Sequence, residues 1–315
     1  MSNQLADTLT ESTARSRTGA NRSFAQWLWR LAKDVLFFVY LYSGYVQLRD
    51  AVLSLMGRSR VVVLYYHRVG GSDVLTKPLN VFRNELEYLK ENYECIGLAE
   101  LCARLRANRP FRRRAAVITF DDGYRDNFTE AFPALKEAGV TATFFVATGF
   151  IGTRREFPHD DSREHAESSA APRHFPKLTW DDLRAMQQAG FEIGSHTINH
   201  TSLGQADSET IKQEVRGSLD ALNRHLGQAP RAFSFPWGKP VDISERAIEE
   251  VKRAGYYAAV SACGGANGRG SETFAIKRID VGNGRMSTLA VRARIAGFDT
   301  EHVRTRNSDS RKEPR

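Results

Sequence analysis

The sequence predicts an α/β fold built on one parallel sheet, most economically a barrel related to the (β/α)8 architecture. Three observations lead there. Six short apolar runs, rich in β-branched and aromatic residues, recur between positions 61 and 262, the pattern of strands buried on both faces. Amphipathic segments closed by glycine lie between several of them, as helices do. Polar or aromatic residues directly follow four of the runs, and in a parallel barrel the C-terminal strand ends open together on the face where active sites are built.

The runs are VVVLYY (61–66), AAVITF (115–120), TATFFV (141–146), FEIGS (191–195), RAFSF (231–235) and YYAAVSA (256–262). Helices are expected from Asp126 to Ala138, Thr179 to Ala189, Asp207 to Leu226 and Ile243 to Ala254, stopped by Gly139, Gly190, Gly227 and Gly255. No internal repeat is visible.

A chain of 315 residues with 41% hydrophobic and 26% charged residues builds a globular core and is not collagenous, low-complexity or polytopic membrane protein. The net charge of +8 is uneven: residues 1–60 carry +4, residues 299–315 carry +1, and the intervening stretch only +3. The run Arg104, Arg106, Arg109, Arg112, Arg113 and Arg114 lacks interleaved aromatics and reads as a solvated loop, so no nucleic-acid partner is expected. Cys95, Cys102 and Cys263 are too few and too irregularly spaced for a disulfide framework and read as reduced thiols.

Residues 1–20 read as a disordered tail, 21–57 as an amphipathic and apolar helical extension, 58–298 as the barrel and 299–315 as a disordered polar tail. No cleavable signal peptide is read at the N-terminus, which points to the cytoplasm or the inner membrane surface. The uncharged run from Val35 to Leu48 falls short of the ~20 residues that span a bilayer. Trp27–Leu48 is therefore either an interfacial helix making peripheral membrane contact or a helix packed on the barrel exterior.

The chemistry gathers at the strand ends. AAVITF runs into Asp121-Asp122-Gly123; neighbouring residues leaving a strand point different ways, so one carboxylate can bind a metal while the other faces substrate and takes a proton. His196 and His200 are four apart in Ser-His-Thr-Ile-Asn-His, a spacing that on a helical turn puts both imidazoles on one face. With a strand-end Asp they form a two-His, one-carboxylate set that leaves positions open for water and substrate. Zinc is the default ion by ligand type, with Co, Ni or Mn also fitting.

Thr119-Phe120-Asp121-Asp122-Gly123, then Ser195 to His200, then Phe235-Pro236-Trp237-Gly238, in that order, resemble the first three motifs of the polysaccharide deacetylases, the NodB-homology group or carbohydrate esterase family four. The resemblance covers roughly residues 61–290. It implies a distorted (β/α)7 barrel and metal-dependent removal of N-acetyl groups from amino sugars of a polysaccharide, oligosaccharide or lipid-linked glycan. By the family's pattern Asp121 is similar to the general base and Asp122, His196 and His200 to the metal ligands. Phe235, Pro236 and Trp237 look like the wall of the sugar groove, and Tyr124, just after the acidic pair, joins them as a candidate substrate contact.

Two supporting roles depart from the pattern. Ser234 stands where the third motif often carries an Arg that orients the base, and no late motif with the usual acidic His is present, since His302 sits in the polar tail. His67, ending the first strand, is the substitute candidate for the acid. Arg278 or Asp280 could partner the base. The insertion 151–178 carries His159, Asp160, Asp161 and His165; its Ser/Ala/Pro-rich context reads as a solvated flap rather than a second metal site. Two other readings remain: a non-catalytic carbohydrate-binding barrel, and a membrane-peripheral interaction protein whose main element is Trp27–Leu48.

Overall fold

The computed structural model describes residues 27–71, 76–160, 174–282 and 286–298. The two expected tails, residues 21–26 of the extension, Asp161, His165 and His302 lie outside the described residues.

The six apolar runs form strands β1 (Val61–Tyr66), β3 (Ala115–Phe120), β4 (Thr143–Val146), β5 (Glu192–Ser195), β6 (Ala232–Ser234) and β7 (Ala258–Val260). A two-residue strand β2 (Glu94–Cys95) pairs with the start of β3, and β8 (Ile279–Asp280) pairs with β1. Every ladder is parallel, in the order β7-β6-β5-β4-β3-β1-β8. At the seam Ile276 bridges Val260 in parallel, and the Ser261 N–H donates to the Ile276 carbonyl at 2.9 Å. The segment leading into β8 thus joins β7 to β1, curling the sheet into a seven-strand barrel. β3 is buried along its whole length, the reason its sequence is apolar without alternation.

Helices cover the outside: α3 (Leu79–Asn92), α4 (Leu98–Arg106), α5 (Phe132–Ala138), α6 (Trp180–Gln188), α7 (Ser208–Leu226), α8 (Glu245–Ala254) and α9 (Thr288–Ile295). Thr179 and Asp182 form a reciprocal capping box on α6, and Asp207 and Ser244 cap α7 and α8, satisfying amides that have no partner within the helix. The helix expected from Asp126 opens instead as a π-turn, Asn127–Ala131, before continuing as α5. In it the buried Asn127 side chain donates to the His67 carbonyl at 2.8 Å, tying the end of β1 to the turn after the acidic pair.

The arginine run divides between the end of α4 and the turn before β3. Arg104 pairs with Glu94 and Glu100, and Arg114 with Asp50.

The N-terminal extension forms α1 (27–42) and α2 (Tyr45–Leu55), broken at Gly44, whose φ of 87° suits a residue without Cβ. Phe37, Leu41 and Val46 pack on Ala293 and Ala296 beside α9, and the Phe37 and Tyr40 rings meet Phe298 edge-on. Only one stripe of α1 packs on the barrel exterior; the rest of its apolar surface is exposed.

Candidate active site

The strand ends, with the loops after them, enclose a cavity of about 720 Å³ whose lining includes His67, Asp121, Asp122, Tyr124, His196, His200, Phe235 and Trp237. That is a normal size for a small-molecule site. Four of the five non-glycine residues with positive φ among the described residues, Asp122, Thr197, His200 and Trp237, belong to its motifs. Left-handed backbone costs free energy and persists where surrounding structure enforces it. At Asp122 it sends two adjacent carboxylates to different sides.

Asp121 continues the line of β3, its N–H donating to the Tyr66 carbonyl at 2.9 Å. Its carboxylate is gripped by Arg278, with Nη1 donating to Oδ1 at 2.8 Å and Nη2 to Oδ2 at 2.7 Å. Ser234 Oγ donates to Oδ1 at 3.3 Å and accepts from Arg278 Nη2 at 3.0 Å. Burial works to raise the Asp121 carboxyl, but the Arg278 charge, then His196, hold it below the usual range. The residue is therefore an anion ready to accept a proton, and Oδ2, with one hydrogen bond, keeps a lone pair for it. Arg278 is itself fully buried and also donates to the Ser261 carbonyl. Of the two suggested partners of the base, Arg278 takes the position; Asp280 is exposed and caps the Gly282 N–H.

Asp122, His196 and His200 form the one group of three or more potential metal-ligating side chains among the described residues, and all three are buried. His196 Nε2 and His200 Nε2 lie 3.5 and 3.3 Å from Asp122 Oδ1. Tetrahedral coordination with bonds of about 2.0–2.1 Å separates its donor atoms by about 3.4 Å. Neither Asp122 oxygen has a hydrogen-bond partner among the described residues, an orphaned buried carboxylate that a cation would satisfy. Nδ1 of His196 meets the Ser234 carbonyl at 2.8 Å; a carbonyl only accepts, so Nδ1 carries the proton and Nε2 presents its lone pair to Asp122. Burial pushes the His196 imidazole down to about 4, so it is neutral near pH 7. The residues present fit a divalent cation.

The local backbone differs from the expected helical turn. Residues 197–199 form a non-helical turn with Thr197 at φ 65° and His200 at φ 58°. Buried Glu214 of α7 holds it, accepting from the Ile198 and Asn199 amides at 2.8 and 2.9 Å and from the Asn199 side chain at 2.7 Å. That carboxylate replaces the intrahelical bonds, and the two imidazoles converge through the turn, their ring centroids 4.9 Å apart.

His67 is exposed at the rim of the same cavity, edge-on to the Tyr65 ring. Phe235 is buried and lines the cavity, Pro236 is buried and does not line it, and Trp237, 49% exposed, stands over His200 with ring centroids 5.2 Å apart. Tyr124 is buried among Phe150, Phe157 and Phe175, and its hydroxyl donates to Asp160 at 2.7 Å.

The first part of the insertion, read as a solvated flap, is instead packed into the site. Phe157 is fully buried and stacks on Phe150 at 4.0 Å, and buried Lys177 pairs with Glu156 at 2.8 Å. His159 stacks on Phe157, faces Trp237 and places Nε2 3.4 Å from Asp122 Oδ2 and 3.1 Å from the Tyr124 hydroxyl. Asp122 Oδ2 thus faces His159, while Oδ1 faces His196 and His200. The available signal was the His159-Asp160 pair itself, outweighed by the composition that follows it.

The chain is similar to several known proteins. The family model described as polysaccharide deacetylase matches residues 108–259. The putative polysaccharide deacetylase YxkH of Bacillus subtilis is 26% identical over 227 residues, covering 72% of this chain and 73% of that protein. The poly-beta-1,6-N-acetyl-D-glucosamine N-deacetylase of Escherichia coli K12 is 24% identical over 206 residues, covering 56% of this chain but only 29% of that protein. Among solved structures, IcaB from Ammonifex degensii superposes with a TM-score of 0.62 at 22% identity, covering 75% of this chain and 97% of that one. The Streptococcus pyogenes deacetylase PplD in complex with acetate gives 0.58 at 24% identity, with coverage of 72% and 94%. These last two likenesses bear on the fold.

Proposed function

We propose that this chain, whose residues 108–259 match the polysaccharide deacetylase family model, is a metal-dependent hydrolase removing N-acetyl groups from amino sugars of a glycan or glycolipid. The observation that carries this reading is the pairing of an Asp122–His196–His200 group with an adjacent carboxylate, Asp121, kept anionic by Arg278.

A divalent cation on Asp122, His196 and His200, zinc by their nitrogen and oxygen donors, would polarise the acetamide carbonyl and acidify the attacking water. Asp121 Oδ2 takes the proton as the water oxygen bonds to the carbonyl carbon. Arg278 keeps that carboxylate in one orientation, so no reorganisation precedes the transfer. His67, at the end of β1 beside β3, gives a proton to the amine nitrogen as the carbon–nitrogen bond breaks and acetate departs. Phe235 and Trp237 supply an apolar wall for the sugar ring, and the Tyr124 hydroxyl reaches the same cavity beside Asp160.

We also propose that the protein works in the cytoplasm or at the inner membrane surface, in peripheral contact with lipid through Trp27–Leu48. The exposed apolar face of α1 supports the contact, and three free cysteines accord with a reducing compartment.

The test is acetate release from a panel of N-acetylated oligosaccharides by the full chain with Zn, Co, Ni or Mn, beside Asp121→Asn and His196→Ala. Metal-dependent release abolished by both substitutions is expected. Stoichiometric metal binding with no release from any substrate would favour a carbohydrate-binding barrel.

A further inference from the structure

Of the sixteen large hydrophobic residues that stand exposed among the described residues, fourteen lie between Trp27 and Met56; the other two are Trp237 at the active site and Val241. On α1 the buried stripe of Phe37 and Leu41 is narrow, and Val35, Leu36, Phe38, Val39 and Tyr42 are each more than half exposed. Successive residues turn 100° around a helix, so these five cover an arc of about 160°. So broad an exposed apolar face marks an interaction surface.

Its chemistry selects a lipid surface over a protein groove. The face is a ridge standing off the barrel rather than a cleft, and a fluid bilayer moulds to a ridge without a matching pocket. Trp27 and Trp29 occupy one end of α1 beside the exposed cations Arg30 and Lys33, with Lys33 Nζ over the Trp29 ring at 5.1 Å. Aromatic rings with basic neighbours are the anchors of a helix lying in a headgroup layer. Residues 1–60 carry a net +4, complementary to anionic lipid. No helix among the described residues is long and apolar enough to cross a membrane.

The position of α1 on the barrel adds a consequence. Asp34 accepts a hydrogen bond from Ser287 at the start of α9 at 2.8 Å, while Tyr40 donates to the Ala296 carbonyl just beyond its end. The two helices therefore run parallel, and Met286, the residue before Ser287, lines the catalytic cavity. From Asp34 back to Trp27 is a further seven residues, about 10 Å of helix. The tryptophan end of α1 projects on the side where the cavity opens.

We propose that α1 and α2 seat the barrel on an anionic lipid surface with the catalytic mouth at headgroup level, and that the substrate class is an N-acetylated amino sugar carried on a membrane lipid. The substrate assignment rests on the deacetylase reading above; the lipid contact does not.

The test uses the full chain, vesicles of phosphatidylglycerol and phosphatidylcholine, and the double variant Trp29→Glu/Phe38→Glu, with Val241→Glu as the control. Both substituted side chains are exposed, so folding is retained, as circular dichroism verifies. Wild type and control sediment with the vesicles, and the double variant partitions at least tenfold less. Acetate release from a soluble N-acetylated oligosaccharide is unchanged in the double variant, and release from an N-acetylglucosamine glycolipid embedded in the vesicles falls at least tenfold. Absence of wild-type vesicle binding, binding that the double variant retains, or a dimer in solution that the double variant dissociates without any vesicle binding overturns the lipid seat. Equal glycolipid turnover by both proteins overturns the substrate class. Vesicle binding with no acetate release from either substrate upholds the lipid seat and overturns the deacetylase reading and the substrate class together.

Discussion

Arg278 and Asp121, 157 residues apart in the chain, meet as a two-pronged buried ion pair with Nη–Oδ distances of 2.8 and 2.7 Å. The guanidinium reaches in from the residue just before β8, and small Ser234 at the end of β6 leaves room for it. The hydroxyl of Ser234 bridges the pair while its carbonyl orients His196. One serine therefore links Asp121 to His196.

Removing the guanidinium should damage stability and turnover differently from altering its shape. Arg278→Ala leaves Asp121 buried and unpaired, an expected cost of about 3–5 kcal/mol, read as a fall in the denaturant midpoint. Arg278→Lys restores a charge without the fork and should recover most of that stability while kcat stays reduced by about a hundredfold. Full recovery of kcat in the Lys variant would show that charge alone suffices.

His67 lies on the exposed rim, so His67→Ala should fold normally. A general acid contributes roughly 10²–10⁴-fold. The expected outcome is a loss of that size in kcat with KM within a few-fold of wild type, checked by steady-state kinetics on one soluble substrate. A loss confined to KM would make His67 a substrate contact.

His159 Nε2 lies 3.4 Å from Asp122 Oδ2, on the side away from the two imidazoles. Replacing a partner of this kind costs about 10–100-fold in metal affinity. His159→Ala should show that loss in competition with a chelator, His159→Gln should regain part of it, and the visible spectrum of the cobalt-loaded protein should shift. Unchanged affinity in both variants would leave His159 only as a wall of the cavity.

Metal removal should be visible without any substrate. A cation at a hundredfold excess over its Kd stabilises the folded state by about 2.7 kcal/mol, roughly 5–10 °C in melting temperature for a domain of this size. Wild type stripped with chelator should regain that shift on adding zinc, and His196→Ala and His200→Ala should not.

Away from the site, Glu192 at the start of β5 accepts from Thr143 at 2.9 Å and from the Tyr257 hydroxyl, yet burial raises its carboxyl above the ordinary value. The folded state then holds its proton to higher pH than the unfolded chain. Its stability is fully present below the unfolded glutamate range and declines as pH rises through the folded pKa. Glu192→Gln should flatten that decline in denaturation midpoints measured from pH 4 to 8. A slope equal to that of wild type would assign the pH dependence elsewhere.

Much of the site was legible because its signals are local. Asp121-Asp122, His196 with His200, and Trp237 each follow an apolar run, one of which ends in Phe235, and a parallel barrel brings such strand ends together whatever the loops do. The route by which the two histidines converge was not legible. Their spacing suits a helical turn, but Glu214 from α7 captures the Ile198 and Asn199 amides and holds a different backbone. His159 was hidden similarly, since Phe157 and Lys177 bury the start of an insertion whose composition resembles a solvated loop.

The sequence by itself determined the alternation of strand and helix, the acidic pair, the paired histidines and the apolar N-terminal run, because each depends on residues within a few positions of one another. Only the tertiary structure decided that Arg278 rather than Asp280 partners Asp121, that His159 faces Asp122, and which stripe of α1 is covered. The physical reason is shared. Those choices depend on which distant side chains become neighbours once the barrel closes and desolvates them, and a buried charge must then find its partner wherever the fold has placed one.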